Sequence, residues 1–386
     1  MVLALHGECA PGFERVREAF AEGFAVRHEL GAGVAVTLDG RPVVDLWAGF
    51  VDKAQSRPWF RDTLVNVYST TKGWTAACAH RLVDEGKLDL DRPVAYYWPD
   101  FAQAGKERIA VRSLLDHRAG LPAIRANLPP EALFDWRAMT TALAGETPWW
   151  EPDTKHGYHP VTFGWLVGEV IRRVSGMTTG AYFRKAIAGP LGLDAHIGLA
   201  ESDDARCSDL RHMRRDPAAA STLLEQIMEE PESMTARAFT NPITMVLPQT
   251  VTSRAWRGAE LPAVNGHTTA RSLARLYGAL ACDGEVDGVR VLSKESILRA
   301  STQHACGEDA VLGVSTRFGL GFMLSQPHAA FGPNEGAFGH PGAGGSIGFA
   351  DPAARLGFGY VTNRLGNEIL LDPRAEALIR AVYAST

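Results

Sequence analysis

The chain has 386 residues, 46% of them hydrophobic and 22% charged, with a formal net charge of −5. Its length suits an enzyme-sized protein of about two lobes, and its acidic balance argues against a nucleic-acid surface or a polybasic membrane anchor. No apolar stretch reaches membrane-spanning length. The five cysteines (Cys9, Cys78, Cys207, Cys282 and Cys306) include no C-x-x-C pair, which fits reduced thiols better than a disulfide frame or a zinc site. Val2-Leu3-Ala4-Leu5 is too short for a signal-peptide core and lacks a basic lead, so a cytoplasmic location is expected.

Apolar residues between Phe13 and Phe24 recur at helical spacing. Gly33–Leu38 then reads as a strand, Asp39-Gly40 as a tight turn and Val43–Gly49 as the partner strand. Thr70–Glu85 carries Trp74, Ala77, Cys78 and Leu82 on one face and stops at Gly86, which predicts a buried helix. Helical pattern continues at Ser113–Leu115, Pro130–Ala144, Val161–Val174, Thr179–Ile187, Ala218–Glu229 and Thr269–Cys282. From Phe318 onward the β-formers return, at Phe318–Leu324, Ser346–Phe349 and Leu356–Thr362, before a last helix at Arg374–Tyr383. Strands at both ends with helices between predict an α/β (α+β) protein. Residues 1–85 and 283–386 would build a lobe with an antiparallel sheet, and residues 86–282 a mainly helical inserted lobe.

Two serine motifs compete for the chemistry. Ser69 and Lys72 form an S-x-x-K at the start of the helix after an apolar run. Residues three apart on a helix share a face, so Lys72 can fold back and act as the base that a serine hydroxyl needs near neutral pH. Gly344-Gly345-Ser346-Ile347-Gly348 is a G-x-S-x-G, the nucleophile-elbow pattern. That elbow requires a histidine later in the chain, and the last histidine is His340. The segment also runs into Asp351-Pro352 where an elbow would launch a helix. Ser69 is therefore the favoured nucleophile.

Downstream of Ser69 come Leu114-Leu115-Asp116-His117-Arg118-Ala119-Gly120, then Gly157-Tyr158-His159-Pro160, then Gly339-His340-Pro341-Gly342-Ala343-Gly344. In this order the set resembles the serine β-lactamase and penicillin-binding protein superfamily, and most closely the class C β-lactamase-like carboxylesterases of family VIII. The resemblance implies that fold, with Ser69 as the acylated nucleophile, Lys72 as its base and Tyr158 as the residue relaying protons to the leaving alcohol. It also implies an oxyanion hole from the backbone N–H groups of Ser69 and Ala343. A free tyrosine titrates near 10, so such a role calls for a cationic neighbour, and Lys72 is the expected one.

Departures from the β-lactamase pattern narrow the substrate. Tyr158-His159-Pro160 lacks the asparagine of Tyr-x-Asn, and His340-Pro341-Gly342 replaces Lys-Thr-Gly, so the amide and the fixed cation that grip a β-lactam are missing. A neutral ester needs neither. His340, Gly342 and Gly344 are candidate substrate contacts, and Trp149, Trp150 and Phe134 candidates for an apolar pocket. His117 is expected to brace a loop. His156 and His159 lack further ligands at metal spacing, so no metal or organic cofactor is implied. The expected activity is hydrolysis of small, short-chain carboxylic esters, with weak β-lactam hydrolysis as a side activity. A β-lactamase or D-amino-acid peptidase is the alternative on the same fold, and a catalytically silent binding protein the alternative of another class. Acyl transfer to an alcohol or amine stays open, because one acyl-enzyme serves both outcomes.

Overall fold

The computed structural model describes residues 4–213, 222–247 and 249–386. Its main sheet contains β1 (Leu5–Cys9), β2 (Gly31–Leu38), β3 (Arg41–Gly49), β4 (Ala305–Glu308), β5 (Ser315–Phe318), β6 (Met323–Leu324), β7 (Phe338–Pro341), β8 (Ile347–Asp351) and β9 (Leu356–Thr362). The order across the sheet is β1-β3-β2-β9-β8-β7-β6-β5-β4, and every pairing is antiparallel. The seam between the two ends of the chain is β2 on β9, with Val34 opposite Tyr360 and Val36 opposite Phe358. Asp39 and Gly40, which join β2 to β3, both have positive φ, as the tight hairpin turn requires.

Both faces of the central strands are covered. On one face α1 (Glu14–Val26) packs against the last helix, Pro373–Tyr383, so that Val16, Phe20, Leu378 and Val382 join Val34, Val36 and Phe358 in one core cluster. The helix Ala270–Ala281 lies across the other face on β2, β8 and β9. Its close approach needs glycine: a Cβ at Gly357 would meet the Gly278 amide nitrogen at 2.2 Å, and one at Gly359 the Ala270 carbonyl oxygen at 2.3 Å. Double coverage explains why β2 and β9 read as continuous apolar runs rather than as alternating ones.

Between β3 and the Ala270 helix lie α2 (Thr71–Asp84), α3 (Trp136–Gly145) and α4 (Thr162–Ser175); the sheet-covering helices are then α5 (Ala270–Ala281) and α6 (Pro373–Tyr383). Every residue of α2 from Thr71 to His80 is buried, and the helix packs on α4, on the short helix Thr179–Phe183 and on β7. Packing therefore differs from the linear division at two places. α5, counted with residues 86–282, lies on the sheet, and α2, counted with the N-terminal segment, is wrapped by the helices.

Local differences have local causes. The strand β1 carries little signal in the sequence, because its apolar content is low and its pairing with the β3 edge is what orders it. Phe318–Leu324 is two strands, broken where Gly321 takes φ +87°. Pro130–Ala144 divides into a 3₁₀ turn, Pro130–Phe134, and α3, because the Asp135 side chain accepts from Ala138 N at 3.0 Å and caps a new helix. In Ala218–Glu229, residues 218–221 lie outside the described residues, and Thr222–Glu229 is helical.

Candidate active site

Ser69 stands in the turn that feeds α2. Val67 N donates to Gly266 O at 2.9 Å, Thr71 N to Tyr68 O at 3.0 Å and Lys72 N to Ser69 O at 2.9 Å. Tyr68 is held at φ +43°, a left-handed conformation unusual for a bulky residue, directly before the serine. One helical turn on, Lys72 Nζ lies 3.0 Å from Ser69 Oγ. The same nitrogen donates to Pro160 O at 2.6 Å and to Ala263 O at 3.1 Å. Among the described residues no carboxylate pairs with it.

Burial therefore decides the protonation of Lys72, holding it well below its ordinary value near 10.5. A neutral amine has two N–H bonds and one lone pair. The two carbonyls occupy both hydrogens, which leaves the lone pair for Ser69 Oγ.

Tyr158 enters from the loop before α4. Its hydroxyl hydrogen-bonds with Ser69, and its ring centroid lies 4.7 Å from Lys72 Nζ. Burial pushes the phenol above its ordinary value of 10 against the opposing effect of the Ser69 hydrogen bond. Lys72, the expected cationic neighbour, is not among the groups that lower the tyrosine, and burial favours the protonated phenol. Its backbone N–H is gripped by Asp309, at 2.9 Å from Oδ1 and 3.0 Å from Oδ2. Asp309 is completely buried and also accepts from Val311 N, Leu312 N and Thr316 Oγ1. Sequence reading missed it, since no spacing relates residue 309 to residue 158.

The third segment is the turn between β7 and β8. Gly342 N donates to Ser346 O at 2.6 Å and Gly345 N to Gly342 O at 3.1 Å. Added to Gly342, a Cβ would meet Val67 O at 2.1 Å, so this turn lies directly against the serine turn. Ala343 and Gly344 line one cavity with Ser69, and among the described residues Ala343 N has no acceptor. Ser346 lends its carbonyl to Gly342 and Thr70 from the start of a strand, with no helix after it, so the elbow geometry is not formed.

His340 is buried behind this turn, with its ring centroid 5.9 Å from that of Tyr158 and Nδ1 2.7 Å from Pro341 O. Burial lowers it to about 3, so the residue in the place of the β-lactamase lysine is uncharged at neutral pH. It does not line the cavity. His117 accepts from His159 N at Nδ1 and packs on Tyr158 and Phe318, bracing the tyrosine loop. His156 and His159 face different partners, Thr316 Oγ1 and Leu121 N.

The cavity at Ser69 holds about 270 Å³ and is walled by Phe239, Met245, Val251, Trp256, Val264 and Leu365. None of the three proposed pocket aromatics belongs to it. Trp149 donates from Nε1 to Ala123 O at 2.8 Å and stacks under Arg125, and Trp150 packs edge-on against His159. Phe134 is 37% exposed beside a separate cavity with Trp98, Trp136 and Trp165. Closeness in sequence to Tyr158 misled here: the apolar wall arrives from residues 239–264 and 365–369, folded over the cleft from elsewhere in the chain.

A serine in the turn before a helix, a buried lysine in that helix's first turn, a buried tyrosine from the loop before α4 and a glycine-rich turn of an antiparallel sheet define a serine hydrolase of the β-lactamase and penicillin-binding protein fold. The chain belongs to the Beta-lactamase family, whose profile matches residues 16–381. It superimposes on a family VIII carboxylesterase with a TM-score of 0.92 at 40% identity, covering 99% of this chain and 100% of that one. A penicillin-binding protein homologue from Caulobacter crescentus gives 0.89 at 40% identity, over 99% and 100% of the two chains. The esterase/beta-lactamase LipL of Mycobacterium tuberculosis is 37% identical over 376 residues, 96% of this chain and 85% of its own.

Proposed function

We propose that the protein is a serine carboxylesterase that hydrolyses short-chain esters through an acyl-enzyme on Ser69. The observation that carries this reading is Lys72 Nζ, buried 3.0 Å from Ser69 Oγ and bonded to Pro160 O and Ala263 O, with burial holding it well below its ordinary pKa. Lys72 takes the Ser69 proton as Oγ attacks the ester carbonyl, and the developing oxyanion is met by the Ser69 and Ala343 N–H groups. As the C–O bond to the leaving group breaks, Tyr158 gives its proton to the departing alkoxide and regains one from the Lys72 ammonium. Water then follows the same path in reverse: it loses a proton through Tyr158 to Lys72 and attacks the acyl carbon, and Ser69 Oγ leaves as the proton returns to it.

Two features favour esters over β-lactams. The uncharged His340 offers no cation to an antibiotic's carboxylate, and Tyr158-His159-Pro160 has no side-chain amide at its third position. The cavity, about 270 Å³ and apolar, sits at the small end of ligand sites and suits a short acyl chain. No helix among the described residues is long and apolar enough to cross a membrane. All five cysteines are free, which supports a cytoplasmic location. The test is intact-mass detection of a fluorophosphonate adduct, mapped by peptide sequencing, followed by nitrophenyl esters of rising chain length. The expected result is one adduct on Ser69, lost in Ser69→Ala and kept in Ser346→Ala, and turnover that falls from butyrate to dodecanoate. Labelling at Ser346, or faster turnover of a cephalosporin than of butyrate, overturns it.

A further inference from the structure

Behind the turn that carries Ala343 lies a buried ion cluster that no step of the proposed mechanism uses. Arg374, at the start of α6, is 4% exposed. Its Nε donates to Asp372 Oδ1 at 2.8 Å and its Nη2 to Asp372 Oδ2 at 2.9 Å. Nη1 donates to Glu29, 345 residues away in sequence, and to Arg364 O at 2.7 Å. The remaining bond runs from Nη2 to Gly344 O at 2.9 Å. Together these bonds use all five N–H groups of the guanidinium. Glu29 in turn accepts from Tyr360 Oη at 3.0 Å and Thr362 Oγ1 at 2.9 Å, which ties the cluster to β9.

Burying such a cluster is costly and is weak evidence of stabilisation, so the question is what geometry it specifies. Gly344 O belongs to the peptide unit whose nitrogen is Gly345 N. Gly345 N donates to Gly342 O, and Gly342 O belongs to the peptide unit whose nitrogen is Ala343 N. One unbroken chain of bonds thus runs from the guanidinium through two peptide planes to the Ala343 N–H. Gly366 N adds a second bond to Gly344 O at 2.9 Å. Neither Gly344 nor Gly345 resists rotation by itself, both lying at positive φ (+86° and +130°) where glycine moves freely. A Cβ at Gly345 would stand 3.0 Å from Arg374 Nη2, so the arginine also packs directly on the turn.

We propose that Arg374 is a positioning residue of the oxyanion hole: through the Gly344–Gly345 peptide it holds the Gly342–Ala343 peptide with its N–H turned into the cavity beside Ser69. The inference rests on the acyl-enzyme reading above. A lysine at this place keeps the charge but offers three N–H groups, too few for these partners.

The test compares an ester with its thionoester, in which sulfur replaces the carbonyl oxygen and fits the oxyanion donors poorly. In Arg374→Lys the ratio of kcat/KM for ester over thionoester falls by about tenfold or more, through kcat, while KM for the ester stays within about twofold. Val382→Ala, on the same helix and away from the turn, lowers the melting temperature but keeps the wild-type ratio. Glu29→Gln moves the ratio in the same direction and serves where Arg374→Lys does not fold. A wild-type ratio in Arg374→Lys, or in Glu29→Gln where it stands in, overturns the proposal. Wild-type protein that forms no adduct on Ser69 overturns the acyl-enzyme reading itself, before any variant is made.

Discussion

A lysine three residues after a serine is an ordinary pattern, and what sets this one apart is desolvation. Among the described residues Lys72 has no carboxylate to hold its proton, and it has two carbonyls that accept from it and complete burial. In the proposed mechanism the neutral amine is the working form, so kcat/KM for an ester is expected to rise with pH as Lys72 loses its proton. Burial places that limb well below the ordinary lysine range, so the plateau is reached before pH 10.5. A pH profile whose acidic limb is centred near 10.5 contradicts this account. Lys72→Arg, which cannot lose its proton, lowers kcat/KM by roughly 10²–10⁴-fold. The pair was legible in the sequence because helical spacing alone brings the two side chains together. Asp309 was not, since the bond from Tyr158 N to its carboxylate spans 151 residues.

At the scale of elements, the site is a contact between the start of one helix and the end of one hairpin. The turn after β7 reaches the serine turn only because Gly342 has no side chain. Gly342→Ala places a methyl 2.1 Å from Val67 O, where one backbone must yield. The expected outcome is a loss of kcat of about a hundredfold, comparable to removing one oxyanion donor, with the Ser69 labelling rate falling in parallel. Unchanged labelling kinetics in a folded Gly342→Ala protein shows that the two turns need not touch. The glycines of this turn were visible in the sequence as a motif, and their reason was not. The apolar wall was invisible in another way: Phe239, Trp256 and Leu365 lie in segments with no shared period, and only the path of the chain makes them neighbours.

Over the whole molecule, the interior is populated by neutral bases. Burial lowers His80 to about 4 and His159, His267 and His340 to about 3, from an ordinary value of 6.5. In the unfolded chain these histidines take up protons as the pH falls through 6.5, whereas the folded protein resists until 3–4. The unfolded state therefore binds more protons in that window, and stability falls with decreasing pH by up to about 1.4 kcal/mol per pH unit for each histidine. Urea midpoints measured from pH 7 to pH 4 are expected to drop steeply below about 6, while remaining flat between pH 7 and 8. A flat profile down to pH 4 means that these histidines are not buried neutral.

The sequence by itself determined most of the long elements, the ordered motifs and the candidate nucleophile, because helical period, hairpin turn chemistry and glycine placement act over a few residues. It also showed what is missing at Pro160 and His340. Tertiary structure alone shifts the protonation equilibria of the site, since burial by residues far along the chain lowers Lys72 and His340 and raises Tyr158. It moved the pocket from Trp149, Trp150 and Phe134 to the 239–264 wall, and it brought Glu29 to Arg374 behind the Ala343 turn. Spacing is a local property of a polymer, whereas desolvation and long-range hydrogen bonds exist only once the sheet has joined the two ends of the chain.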